Sequence, residues 1–170
     1  MKKRARSSTR KRLGGFTLPV VAAMLALVGS GGCALSGQSP NGAPHLEDGY
    51  AWVIFGADTV VAEIAGSGSD RSRGLQNREE VPPGTGMLFT FDTHEKRTFW
   101  MKDTLVDLDL AVLDSEYRIV EILSMEAMSL QLHDTEHVVF MALEVAGGWF
   151  AEQGIGVGDQ AVIRFADGPG

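Results

Sequence analysis

The stretch Gly86 to Asp114, GMLFTFDTHEKRTFWMKDTLVDLDLAVLD, limits the possible folds more than any other part of the sequence. It contains three short apolar runs with a period of two. Met87, Phe89 and Phe91 alternate with Leu88 and Thr90, and only the first set is wholly apolar. Phe99 and Met101 alternate with Trp100 and Lys102. Leu108, Leu110 and Val112 alternate with Asp109, Ala111 and Leu113. A period of two places alternate side chains on opposite faces of a strand, so each run predicts a strand with a face on a core. Residues Phe99 to Thr104 also bring an indole, a thioether, a cation and a hydroxyl within six positions. If Phe99 and Met101 enter the core, Trp100 and Lys102 point together at a groove or at solvent.

The flanks extend the same pattern. Tyr50–Phe55 and Thr59–Ile64 are aromatic and β-branched runs separated by Gly56-Ala57-Asp58, a hairpin signature. Ser69 or Asp70 is placed to cap a short helix over Arg71 to Glu79, with Arg71, Leu75 and Arg78 on one face. Val81-Pro82-Pro83-Gly84 stops it. Asp92–Lys96 reads as a charged turn. Leu108–Leu113 and Tyr117–Leu123 form a second hairpin about Asp114-Ser115-Glu116. Ser124–Glu136 lacks a pattern and reads as a long loop with a helical turn. His137–Val145 and Gln160–Phe165 are strands, and Gly147–Gln153 makes one or two helical turns. Seven or eight short strands with two short helices predict an α+β class. The sheet is predominantly antiparallel, barrel-like or folded over a core.

The amino terminus reads as an address. Residues 2–12 are basic, Phe16–Val28 is an apolar run of 13 residues, and small residues precede Cys33. This is the layout of a signal peptide over 1–32, and the run is short for a membrane span. Cys33 is the only cysteine, so it has no internal disulfide partner. The expected explanation is lipid attachment at Cys33, with the membrane as partner, although Ser30 stands where a lipoprotein signal usually has Leu. Residues 33–48 have the composition of a flexible tether. A single domain is expected over 49–166, with a tail at 167–170.

Charge divides along the same boundary. Of 15 Lys and Arg, seven lie in residues 1–32, which hold no acid; 33–170 therefore carries eight basic and 22 acidic residues, a net of −14. Such a body repels phosphate backbones, so no nucleic-acid partner is expected. No metal is expected either. His133 and His137 are four apart, but His137 opens a strand, and a third ligand has no obvious source. No nucleophile elbow or dinucleotide loop occurs, and no cofactor is implied.

An ordered series of short motifs then carries a resemblance: Arg73-Gly-Leu, Arg78, Gly86-Met-Leu-Phe-x-Phe, Phe99-Trp-Met-Lys-x-Thr, Leu108-Asp109, Ala142-Leu-Glu-Val-x-x-Gly-Trp, Gly154 and Val157-Gly-Asp. From about Val60 to Phe165 the chain resembles the family called domain of unknown function 192. The resemblance implies a compact β-rich domain, frequently exported, and no particular activity.

Three readings of the central residues follow. In the first, Trp100 is a stacking platform, and Lys102, Arg73 and Arg78 hold a small anionic or polyhydroxyl ligand that Thr104 and Asp109 orient. In the second, Arg73 or Arg78 pairs with Asp109 inside the sheet, and the domain is purely structural or contacts an envelope protein. In the third, Asp107 or Asp109 serves an envelope enzyme. Cys33 is directly testable: its substitution by Ala should release the protein from the membrane fraction. Mass spectrometry of the native protein should find an acylated terminal Cys33, and an intact Met1 would refute lipidation.

Overall fold

The computed structural model describes residues 49–166. The readings of a leader, of Cys33 and of a tether fall on residues 1–48 and lie outside the described residues, as does the tail 167–170. In chain order the elements are β1 (Tyr50–Phe55), β2 (Asp58–Ala65), α1 (Gly68–Arg73), β3 (Thr85–Glu95), β4 (Thr98–Trp100), β5 (Leu108–Leu113), β6 (Ile119–Met125), β7 (Leu132–Asp134), β8 (Val139–Ala146), α2 (Trp149–Gln153) and β9 (Val162–Phe165). Seven strands make one sheet in the order β6-β5-β8-β3-β2-β1-β9, while β4 and β7 form a separate ribbon.

The fold is α+β and mostly antiparallel, as the alternating runs predict. The exception is β2–β3, which is parallel. Parallel neighbours need a crossover rather than a tight turn, and α1 with the chain to Gly84 provides it. The sheet is not closed into a barrel. Its outer strands β6 and β9 approach each other where the chain enters them, through a bridge between Arg118 and Gln160. There Ile119 N donates to Asp159 O (2.8 Å) and Ala161 N to Tyr117 O (2.9 Å).

Both faces of the central strands are buried, which single-face alternation did not predict. All six residues of β5 are buried. Ala111 and Leu113 join Ala51, Val53, Leu88 and Leu143 in one apolar cluster, capped by Trp149 and Phe150 of α2. Leu108, Leu110 and Val112 join Met87, Phe89 and Ala142 in a second, covered by Leu75, Val81 and Met101. Sheets buried on both sides need near-continuous apolar runs, which is why Met87-Leu88-Phe89 shows no solvent face.

Three boundaries move for local reasons. The first helix begins earlier than expected and stops sooner. Ser67 is its N-cap, accepting a bond from Asp70 N, and Gly74 ends it at φ 48°. Arg71 and Arg78 therefore do not share a helical face. Strand β3 runs on through the expected turn to Glu95, with a shift of register against β8 between Thr90 and Glu95. The loop Ser124–Glu136 contains β7, whose three residues form a strand because β4 pairs with them. Thr98 Oγ1 donates to Asp134 Oδ1 at 2.6 Å across that ribbon.

Close packing at the sheet centre depends on Gly86, where a Cβ would lie 2.1 Å from the backbone oxygen of Glu144. Gly86→Ala should therefore lower stability by about 3 kcal/mol or more, since backbone must move to admit a methyl group. Gly156→Ala, with nothing within 4 Å of its Cβ position, should change denaturation by no more than about 0.5 kcal/mol.

Candidate functional site

A cleft of about 380 Å³ opens on the sheet face that carries the second cluster. Phe89 of β3 and Glu144 of β8 line it from the sheet. Arg71, Arg73, Gly74 and Gln76 line it from the crossover, and Arg97, Phe99, Trp100 and Thr104 from the β4 segment. One bond joins these last two segments: Asn77 N donates to Asp103 O at 2.8 Å. Both residues have positive φ, 60° and 58°, a conformation that Asn and Asp tolerate better than most side chains.

Glu144 is the unusual group. Its strand is otherwise apolar, and its cross-strand neighbours are Met87 and Leu110. It is only 6% exposed, and among the described residues neither a hydrogen bond nor a charge acts on its carboxyl beside the effect of burial. Burial in this apolar setting pushes its pKa up to about 8, so the acid is neutral at pH 7. Gly74 leaves the approach open. A Cβ there would sit 3.9 Å from Glu144 Oε2 and 3.7 Å from Phe89 Cζ, and its positive φ suits glycine.

The cations around the cleft are held by carbonyls and by one ring. Arg71 donates to Gly66 O and to Thr90 O (2.9 Å for the second). Arg97 donates through Nη2 to Thr93 O at 2.6 Å and meets Glu95 at 3.2 Å. Both guanidiniums lie against Phe91, 5.3 and 4.2 Å from its centroid. The carbonyls fix Arg71 without cancelling its charge, whereas Arg97 is also paired with the exposed Glu95. Arg97 Nε is buried without an acceptor. Arg73 is the freest, 72% exposed at its side chain and 3.2 Å from Asp70.

The residues singled out from sequence divide into two groups. Arg73, Trp100 and Thr104 line the cleft. Lys102 is beside it, its Nζ 5.5 Å from the Trp100 ring, and the alternation of exposed Trp100 and Lys102 with inward Phe99 and Met101 is as expected. Arg78 is elsewhere. It lines a second hollow of about 250 Å³ and grips Glu63 with both terminal nitrogens, at 2.6 and 2.7 Å. That hydrogen bond holds the Glu63 carboxyl below its ordinary range, against the opposing effect of partial burial. Asp109 is also elsewhere. It is buried, accepts Ser124 Oγ at 2.7 Å and Gly148 N at 2.8 Å, and thereby ties the start of α2 to β5. No ion pair joins Arg73 or Arg78 to Asp109; their carboxylate partners are Asp70 and Glu63. Asp107 accepts Ala127 N at 2.7 Å and does not line the cleft.

Sequence reasoning did not single out Glu144, Arg71 or Arg97 as candidates, although all three line the cleft. One signal for Glu144 was available: a lone acid within the apolar strand HVVFMALEV. Arg97 carried none, because its place depends on the β4–β7 pairing.

The raised pKa of Glu144 has a signed consequence for stability. Between about pH 4.5 and 8 the folded chain holds a proton that the unfolded chain has lost, so this group's contribution weakens as pH rises through that window. Glu144→Gln should remove that dependence. Its advantage over the native chain in chemical denaturation should grow by a few kcal/mol between pH 5 and pH 8, at constant ionic strength. A constant difference would show that Glu144 ionises normally.

No protein of curated function matches the sequence. A solved structure from Sinorhizobium meliloti, described as a candidate transcription regulator, is 26% identical with a TM-score of 0.63, covering 71% of this chain and 97% of its own. A protein of unknown function from Novosphingobium aromaticivorans is 25% identical with a TM-score of 0.61, covering 66% of this chain and 83% of its own. The profile of DUF192, described as "Uncharacterized ACR", matches residues 53–163. On that match over most of its length, the chain belongs to the DUF192 family, domain of unknown function 192.

Proposed function

We propose that the chain is an exported binding protein, held at a membrane by lipid on Cys33, whose cleft takes a small anionic or polyhydroxyl ligand. The observation that carries this reading is the meeting of Arg71, Arg73 and Arg97 around one cleft that also presents Phe99 and Trp100. Guanidiniums suit planar anions, and an indole 48% exposed at the rim offers a face for stacking a ring or the apolar side of a sugar. Lys102 adds charge beside the indole. The net charge of −14 over residues 33–170 argues against direct contact with DNA, so the regulator description of the Sinorhizobium protein is not carried over.

Calorimetric titration with acetate, inorganic phosphate and glucose tests the reading. At least one probe should bind. Arg73→Ala and Arg97→Ala should each weaken that binding about tenfold or more, as loss of a charge-assisted hydrogen bond does. Arg73→Ala should leave stability within about 0.5 kcal/mol, because the side chain is exposed. Arg78→Ala, altering the other hollow, should leave the affinity unchanged. Failure of all three probes, or indifference to both cleft arginines, would refute the assignment.

A further inference from the structure

Glu144 allows the ligand class to be narrowed, on the reading that the cleft binds a small ligand. An unpartnered carboxyl on a sheet face is costly, and the fold supplies this one, 6% exposed, with no hydrogen bond or ion pair among the described residues. Asp109, buried on the opposite face of the neighbouring strand β5, has two hydrogen-bond donors. The fold can therefore satisfy a buried carboxyl where it has one to satisfy. At Glu144 it does the reverse, and Gly74 keeps the space above the acid free of a side chain. The groups facing the cleft from other elements are cationic or uncharged. Arg71 and Arg73 come from α1, and Arg97 from the start of the β4 segment. Asp70 is paired with Arg73 and Glu95 with Arg97, and β3 and β5 set Met87, Phe89 and Leu110 around the acid.

We propose that the cleft is a site for small carboxylates, in which the Glu144 carboxylic acid donates its hydroxyl hydrogen bond to one oxygen of the ligand while the arginines face its charge. A carboxylic acid donating to a carboxylate makes a short, charge-assisted bond, and it satisfies the one buried oxygen acid the sheet leaves alone. An ionised Glu144 would repel the same ligand. The arginines stay charged at all relevant pH, so Glu144 and His133, which faces Phe99 across the ribbon, are the groups to separate between pH 6 and 9. Glucose offers no charge to the arginines. Phosphate becomes a dianion over the same range, so its own titration sets it apart from acetate.

The test is calorimetric titration of the full chain with acetate, which stays ionised from pH 6 to 9, at fixed ionic strength. Acetate should bind at pH 6 and lose about tenfold in affinity by pH 9, the factor expected when a group of pKa about 8 must be protonated for binding. Titrations at pH 9 in two buffers of different ionisation enthalpy should show uptake of close to one proton per acetate. Glu144→Gln keeps a donor but cannot ionise. It should bind acetate at pH 6 within about threefold of the native chain and show no decline to pH 9, whereas Glu144→Ala should bind weakly at both. His133→Gln, which removes the histidine across from Phe99, should leave the decline intact. An affinity independent of pH, or a decline that persists in Glu144→Gln, overturns this inference. If acetate binding still requires Arg73 and Arg97 in that case, the cleft remains an anion site and only the role of Glu144 falls. If acetate, phosphate and glucose all fail to bind at pH 6 and 9, the site assignment falls with it.

Discussion

All of β5, Gly86–Phe89 of β3 and Ala142–Val145 of β8 have no side left for water, and the rest of the domain answers to that constraint. A strand with two buried faces cannot put its polar residues outside, so each must find a partner or carry a desolvation cost. Asp109 and Glu144 are the two acids buried in these strands, and they meet the rule in opposite ways. Asp109 is spent on architecture, accepting a peptide N–H that fixes the start of α2 and so lodges Trp149 and Phe150 over one apolar cluster. Glu144 stands on the other face, between Met87 and Leu110, with no such bond.

The cleft exists because the two sheet faces are covered differently. One is capped by α2 and filled. The other is covered by chain that has to be there for topological reasons: β2 and β3 run parallel, so the connection between them must cross the sheet, and it carries Arg71, Arg73, Gly74 and Leu75 with it. The β4–β7 ribbon supplies Arg97, Phe99 and Trp100. The hydrogen bond from Asn77 N to Asp103 O holds these two pieces together. Neither piece packs fully over Glu144, and the gap is the cleft.

Much of the fold was legible in the sequence, and the reason is physical. Period-two alternation with β-branched and aromatic residues placed most of the main-sheet strands within two or three residues, and it placed Trp100 and Lys102 outward of Phe99 and Met101. What local pattern cannot encode is pairing. The parallel β2–β3 contact, the ribbon that makes β7 a strand, and the second buried face of β3 all depend on residues tens of positions away. The site was half legible for the same reason. Arg73, Trp100 and Thr104, which cluster in sequence motifs, line the cleft. Arg78 was misplaced because Gly74 ends the helix that was expected to align it with Arg71. Glu144 was written in plain sight as a charge inside a strand, but its meaning depends on which faces are covered.

The near-meeting of β6 and β9 bears on how copies of this molecule behave in company. An open sheet presents two lines of peptide groups on which another chain can add a strand. Here the approach at Arg118 and Gln160 uses up the first of those groups on both sides at once. The remaining edge of β9 is four residues long and includes Arg164, and that of β6 includes Glu121, whose carboxylate accepts from Glu136 N at 2.9 Å. Short, charged and partly occupied borders make poor templates, and net repulsion between acidic bodies adds to the effect. A half-closed sheet thus gains much of a barrel's resistance to fibrous self-association while leaving its interior strands free of the strain of closure.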